Sequence, residues 1–444
     1  MSTPGSSPAQ QGPMRRIGGN LGYLLRGRGI AAVMLLATTA LMARALGPVE
    51  FGLVVLIHTY VVLVRGLFNV KQFLAIIRYG VPALDTDDLP TLRRLVSICL
   101  RLDRFTCIAA TVAAASLAPL IGPHIGLEGK QVLMLIAYSL VLLATANRTA
   151  IGILRLFDRY DVLGNKETIG PCIRLLGVAI AWWLDSPMEV FVAVFALGFL
   201  VEEVYLGWSG RREYRCQISK PGAEETPQTA RMTEFPGLRQ FLWITYWQSN
   251  VDLIPKHGSI MLAGFLLGPT DAGLLRLARQ FSTMLSKPAG LVRQVVFPDL
   301  TRSWNQGSTD FKLIVYRTAL LAAGLGALFV TAGYFFGELL LGVLIGPEFV
   351  AAAPVLTLLL LASTFDLTAS SLRSAAYAIG HAGKVLRLYA MSAVVYLTLF
   401  IVFTLKLGLI GSGIAACCAA ALPPLAMALL IRKHTRGDAK QETE

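Results

Sequence analysis

The chain has 444 residues, of which 55% are hydrophobic and only 15% charged, whereas an ordinary soluble domain is about 25% charged. At a mean hydropathy of +0.61, so few charges cannot clothe a water-soluble surface; disorder, collagen and coiled coil fall away too, leaving a polytopic membrane protein. The 40 Lys and Arg against 27 Asp and Glu leave +13, which in such a chain reads either as positive-inside loop charge or as attraction for an anionic ligand.

Residues 1–19, rich in Ser, Pro and Gln at the start, are expected to form a disordered cytoplasmic tail. They do not resemble a signal peptide, because the first apolar run begins only near Ile30 and no small-residue cleavage site follows it. Membrane helices of roughly 20 or more apolar residues are then predicted near 21–45, 51–77, 93–121, 130–154, 167–184, 188–209, 238–266, 273–298, 312–345, 349–378, 385–406 and 409–431, about twelve in all. Arg78, Arg93, Arg94, Arg155, Arg159, Lys166, Arg211, Arg212 and Arg302 then share one side, with only Arg44, Lys130 and Lys406 opposite. That bias predicts cytoplasmic termini. The six cysteines form no CxxC and no disulfide framework, and read as small packing residues.

The loop 210–236 divides the chain into a six-helix bundle over 20–209 and a second over 237–433, with a cytoplasmic tail at 434–444. The halves repeat one another. Leu46-Gly47-Pro48 with Gly52-Leu53 recurs as Leu267-Gly268-Pro269 with Gly273-Leu274, and Leu120-Ile121-Gly122-Pro123 recurs as Leu344-Ile345-Gly346-Pro347. With an even number of spans in each half, the repeats are parallel, related by an axis along the membrane normal. The expected fold is therefore all-α, with two parallel-repeat bundles around a central cavity, the layout of an alternating-access transporter.

Ala43-Arg44-Ala45-Leu46-Gly47-Pro48 followed by Phe51-Gly52 resembles the signature after the first helix of the polysaccharide transporters, and Asn250-Val251-Asp252 with Leu267-Gly268-Pro269 resembles the start of their second half. These proteins belong to the multidrug/oligosaccharidyl-lipid/polysaccharide exporter superfamily, and twelve helices match its O-antigen flippase (Wzx-type) branch. The resemblance implies the MATE-like fold and translocation of an undecaprenyl-pyrophosphate-linked oligosaccharide across the bacterial inner membrane. It also implies a cationic cavity for the head group, and polysaccharide polymerase and other assembly proteins as partners. No nucleic acid and no cofactor are expected, and the working unit is taken as a monomer.

Charged side chains inside a span are costly, so each is a site candidate. In the second predicted helix His58, Arg65, Asn69 and Gln72 share a face, and either line the cavity or pack against neighbouring helices. In the eighth, Arg276, Gln280, Thr283 and Lys287 form a similar stripe with Arg279 at its edge. Arg65, Arg276, Arg279 and Lys287 are the candidates for the pyrophosphate, which arginine can bind bidentately. His58, Asn69, Gln72, Asn250, His257, Gln280 and Thr283 are candidates for sugar hydroxyls. Asp252 and Asp366 are coupling candidates, although Asp252 is better placed to pair with Lys256 one turn on and Asp366 to make a structural pair. Pro255 is expected to kink the seventh helix. Trp243 and Trp247 read as an interfacial aromatic belt in preference to a sugar platform.

No metal constellation, phosphate loop or nucleophile elbow is present, and Asp85-Thr86-Asp87 reads as a solvated acidic loop. A non-enzyme is expected. Two alternatives stand beside the flippase: a multidrug and toxin cation antiporter of the same fold, which needs acidic sites where this chain is basic, and a membrane-embedded polymerase or ligase.

Overall fold

The computed structural model describes residues 13–219, 230–283, 310–379 and 382–441. All regular structure among them is helical: α1 (Pro13–Leu67), α2 (Gln72–Asp85), α3 (Leu89–Ile121), α4 (Lys130–Ser139), α5 (Arg148–Leu156), α6 (Tyr160–Trp183), α7 (Met188–Gln217), α8 (Leu238–Leu253), α9 (Ser259–Leu267), α10 (269–283), α11 (Asp310–Leu344), α12 (Ala353–Ala378), α13 (Ala382–Leu407) and α14 (Leu409–Gln441). Eight helical segments among the described residues are long and apolar enough to cross a membrane. The first, Arg26–Asp85, takes in both of the first two predicted spans. The predicted span 238–266 is divided between α8 and α9, and 273–298 passes out of the described residues after 283.

Several boundaries follow from single residues. Gly47 (φ 68°, ψ 178°) and Gly268 (φ 94°, ψ 179°) take nearly the same conformation, one that a side chain bars. The proline after each starts the next helix, where its missing N–H is no loss. The repeated Leu-Gly-Pro is thus a helix-stop, helix-start device. Gly122 breaks the pattern, keeping helical angles while Gly126 (φ 80°) makes the turn. The acidic Asp85-Thr86-Asp87 is the turn between α2 and α3. Asp88 then accepts the Thr91 N–H at 3.0 Å as a helix cap, and hydrogen bonds from the Thr91 side chain and backbone hold its carboxyl below the usual carboxylate range.

Two predicted continuous helices are broken. The stripe His58, Arg65, Asn69, Gln72 requires one helix through 77, but helical pairing stops at Leu67 and restarts at Gln72. Gly66 and Asn69 are both poor helix formers, so the four residues do not share one helical face. The predicted span 130–154 is α4, a tight 3-10 stretch (Leu140–Thr145) and α5. Here Thr145 Oγ1 donates to the Leu142 carbonyl at 2.7 Å and Asn147 Nδ2 donates to the Ala144 carbonyl at 2.7 Å, competing locally with regular pairing.

The helices gather into two compact units. The first comprises residues 1–41, 64–118 and 133–247. Its core sets Ile76 of α2, Leu92 and Leu95 of α3, Ile153 of α5 and Leu238 and Leu242 of α8 together. The second comprises residues 42–63, 119–132 and 248–444. In it α11, α12 and α14 pack on small residues, with Gly326 against Thr364, Gly333 against Leu360 and Gly413 against Leu358, as expected where no water drives helices together.

The repeated turns also meet inside the second unit. A Cβ on Gly52 would collide with the Pro269 carbonyl, and a Cβ on Gly273 would lie 3.1 Å from Gly52 Cα and 3.0 Å from the Phe51 ring. Equivalent glycines of the two repeats therefore touch. Phe51 packs edge-on to Phe349 with centroids 5.6 Å apart, and Arg44 donates to the Val343 carbonyl and, at 3.3 Å, to the Ile345 carbonyl, at the end of α11. Replacing Gly52 by Val should cost about 1–3 kcal/mol of stability through overpacking. Gly29→Ala, with nothing within 4 Å of the new methyl, should be neutral or favourable; thermal unfolding of the two variants in detergent checks the contrast.

Candidate functional site

Irregular backbone inside a membrane protein persists where it lines a cavity or is buried in protein, and the first unit's two helix breaks converge on one small pocket. Its wall includes Phe68, Asn69 and Val70 from the break after α1, Gln72 from the start of α2, Asp103, Thr106 and Cys107 from α3, and Thr145 and Arg148 beside the second break. Arg65, at the end of α1, also lines it. Cys107 supports the broken segment, its thiol donating to the Leu142 carbonyl at 2.8 Å.

The charges are arranged in layers. Glu203 of α7 is completely buried and pairs with Arg65. The guanidinium of Arg65 also lies 4.5 Å from the centre of the Phe199 ring. Asn147 Nδ2 donates to the Glu203 backbone carbonyl at 2.8 Å and reaches its Oε2 at 3.4 Å. Asp103, 2% exposed, accepts the Thr149 N–H on Oδ2 at 2.7 Å, holding the first turn of α5 and with it Arg148. Behind Arg65, Glu202 receives Lys166 at 2.6 Å and Arg174 at 3.9 Å. Arg65, Arg148, Lys166 and Arg174 outnumber Asp103, Glu202 and Glu203, so the cluster carries excess positive charge.

The pocket also holds unused hydrogen-bonding capacity. Both amide atoms of Gln72, Asn69 Oδ1, Asp103 Oδ1 and Arg65 Nε are buried with no hydrogen-bond partner among the described residues. Gln72 is completely buried. Stranded polar groups cost about 1–3 kcal/mol each, a standing cost that a polar ligand would relieve.

The second unit contains its own polar cavity, of about 480 Å³, with Lys256, Arg279, Arg373 and Asp366 on its wall. The backbone there widens into a single π-turn, Ile254–Gly258, at Pro255, the residue expected to kink the helix. Arg279 closes over that turn, donating to the Pro255 carbonyl at 3.2 Å and the Lys256 carbonyl at 2.8 Å. Its other arm donates to Tyr396 Oη at 2.7 Å. Arg373 lies over the Tyr389 ring at 5.0 Å. Single π-turns recur at functional sites because they free carbonyls and redirect side chains.

The sequence candidates thus separate. Arg65, Asn69 and Gln72 come together in the first unit's pocket, with Arg65 committed to Glu203. Arg279, Thr283 and Asp366 come together on the second unit's cavity wall. Gln280 is buried in the second unit and its carbonyl accepts Thr283 Oγ1 at 3.0 Å. Asn250 is buried, and His58, His257 and Arg276 are half-buried, all in the second unit and none on that wall. Lys287 lies outside the described residues, as does the side chain of Asp252. Sequence reasoning missed Asp103, Arg148 and Glu203 as members of one cluster. A signal existed for Arg148, a lone charge inside a predicted span; Asp103 stands between Arg101 and Arg104, and the pairing of Arg65 with a residue 138 positions away left no signal.

Comparison with known proteins places this geometry in context. By structure the chain is similar to the lipid II flippase MurJ in an inward closed conformation, with a TM-score of 0.72 and 13% identity over 91% of this chain and 86% of that one. It is also similar to an inward-facing multidrug resistance MATE family transporter of the MOP superfamily, with a TM-score of 0.63 and 16% identity over 93% of this chain and 95% of that one. These likenesses show the fold. By sequence it is 26% identical over 342 residues to the inner membrane protein YghQ of Escherichia coli (strain K12), covering 77% of this chain and 96% of that protein. The family model described as polysaccharide biosynthesis protein matches residues 17–304. With that match across more than half of its length, the chain belongs to the polysaccharide biosynthesis protein family of membrane proteins, built on the fold of the MOP exporters.

Proposed function

We propose that this protein translocates an undecaprenyl-pyrophosphate-linked oligosaccharide, the repeat unit of a polysaccharide, from the cytoplasmic to the periplasmic leaflet of the bacterial inner membrane. It does so by alternating access, as a monomer with both termini cytoplasmic. The observation that carries this reading is the first unit's broken-helix pocket, where Arg65 and Arg148 stand near Gln72, whose two amide atoms are buried without a partner, around a space of about 20 Å³ that must widen to admit a head group.

A diphosphate diester offers charged oxygens to arginine and acceptors to N–H groups, and the pocket supplies arginines together with two unused donors, Gln72 Nε2 and Arg65 Nε. Carboxylates fix the arginines beforehand: Glu203 holds Arg65, and Asp103 holds the turn that carries Arg148. The second unit's cavity repeats the sign of charge with Lys256, Arg279 and Arg373 against Asp366. A positive excess, small in the cluster around the first pocket and larger in the second cavity, suits an anionic head group better than a lipophilic cation, which argues for the lipid-linked sugar over the drug antiporter. Asp366 is the one carboxylate on the wall of the second cavity among the described residues, and is the coupling group in this mechanism.

Sidedness of the lipid-linked intermediate tests the assignment. Cells depleted of the protein should accumulate the intermediate in a form that an impermeant sugar-modifying reagent reaches only after lysis; an intermediate already exposed outside would move the protein to a later step. Arg148→Ala should lower export by roughly tenfold or more, the loss of a charged hydrogen-bonding partner, with membrane insertion unchanged by cell fractionation. Glu203→Ala should destabilise the protein by about 3–5 kcal/mol, because Arg65 is left buried and unpaired. The pair Arg65→Leu with Glu203→Leu should recover thermal stability but not export.

A further inference from the structure

A second space in the first unit has no role so far. It is a chamber of about 1070 Å³ whose walls include Val70, Leu102 and Phe235, with Arg239 and Gln240 at polar positions. Its most unusual wall is one face of α8. Trp243, Tyr246 and Trp247 recur there at helical spacing, and all three line the chamber. Trp243 is 62% exposed and Trp247 is 51% exposed, so neither indole is used up in packing. Trp243 and Tyr246 lie nearly parallel at 24°, with centroids 6.2 Å apart. Trp247 stands across both at 80° and 77°. The three rings make a corner of flat aromatic faces.

This corner is set in a braced frame. Tyr79 Oη donates to the Pro236 carbonyl at 3.1 Å, Arg101 donates to the Ala230 carbonyl, and Arg94 lies 3.7 Å from Glu234. Phe235, Leu238 and Leu242 anchor the same stretch in the unit's core. Val70, in the break between α1 and α2, lines both the chamber and the cationic pocket.

We propose that the chamber is the oligosaccharide subsite of this protein, with sugar rings stacked on Trp243, Tyr246 and Trp247. The proposal rests on the function argued above and adds to it where the sugar sits and what holds it. The apolar C–H face of a sugar ring matches a flat aromatic face, while Arg239 and Gln240 offer donors to hydroxyls; such a mix of apolar walls and a few polar groups is the usual make-up of a ligand site. A prenyl chain needs only an aliphatic wall and gains nothing from flat rings or from Arg239 and Gln240. The volume, at the top of the usual range of about 300–1,000 Å³ for small-molecule pockets, suits several linked sugars better than one. Val70, on the wall of both spaces, sets the chamber beside the pocket of Arg65 and Arg148, as a sugar bonded directly to the diphosphate requires.

The test uses the full chain in lipid nanodiscs and two probes: lipid-linked oligosaccharide extracted from cells depleted of the protein, and the polyprenyl diphosphate left when mild acid cleaves its sugar–phosphate bond. Trp243→Leu with Trp247→Leu keeps the wall apolar but removes the flat rings; Trp243→Phe with Trp247→Phe keeps the rings. The Leu pair should bind the intact lipid-linked oligosaccharide roughly tenfold more weakly than wild type while binding the polyprenyl diphosphate equally, and the Phe pair should bind both normally. Equal binding of the intact probe by the Leu pair would overturn the sugar subsite and leave the translocation function standing. An equal loss for polyprenyl diphosphate would reassign the chamber to the lipid chain. Wild type that binds neither probe would remove both the function and the subsite.

Discussion

The contact between Gly52 and Gly273 fixes how the two Leu-Gly-Pro turns meet inside the second unit. Each glycine lies in the same place of a Leu-Gly-Pro-x-x-x-Gly segment, and each abuts the backbone at the other's segment. Backbone at that distance leaves no room for a side chain, so the approach of the helices is set by their main chains. The left-handed glycines that precede them, Gly47 and Gly268, then determine the direction in which each following helix leaves. Phe51 against Phe349 and Arg44 on the last carbonyls of α11 secure the same junction. A few residues at the turns thereby fix the course of long helices on either side of them.

The membrane imposes the second constraint. A chain that is mostly apolar can bury a carboxylate or a guanidinium only if another charge or a hydrogen bond meets it. The first unit satisfies this with a connected set of residues from α1, α3, α5 and α7, and it puts its two irregular stretches of backbone beside that set. The second unit reaches a similar result by a different device, a π-turn whose carbonyls are taken by Arg279. In both, departure from regular helix and the presence of cations go together.

Much of the fold was legible because it depends on local chemistry. Hydropathy marked the long helices, and Leu-Gly-Pro marked the turns through a conformation only glycine adopts freely. The broken helices were harder to read. Apolar composition continues through Leu140–Thr145 and through Phe68, so hydropathy sees no interruption, and the breaks come from Gly66, Asn69, Thr145 and Asn147, whose effects depend on what their side chains find nearby. The stripe read through His58 and Gln72 failed for this reason. Arg65, Asn69 and Gln72 reached one pocket even so, brought there by the break and not by helical periodicity. Glu203 balances Arg65, an arginine that only the fold brings close.

Glu203 gives Arg65 an anionic partner of its own. On the proposed function, an arriving anion would compete for Arg65 with this resident carboxylate, which is covalently tethered and cannot diffuse away. Affinity is then a difference between two similar interactions and stays moderate however many donors surround the ligand. A carrier gains from that arrangement, since a passenger held only by the margin over a built-in rival is also one that can be let go.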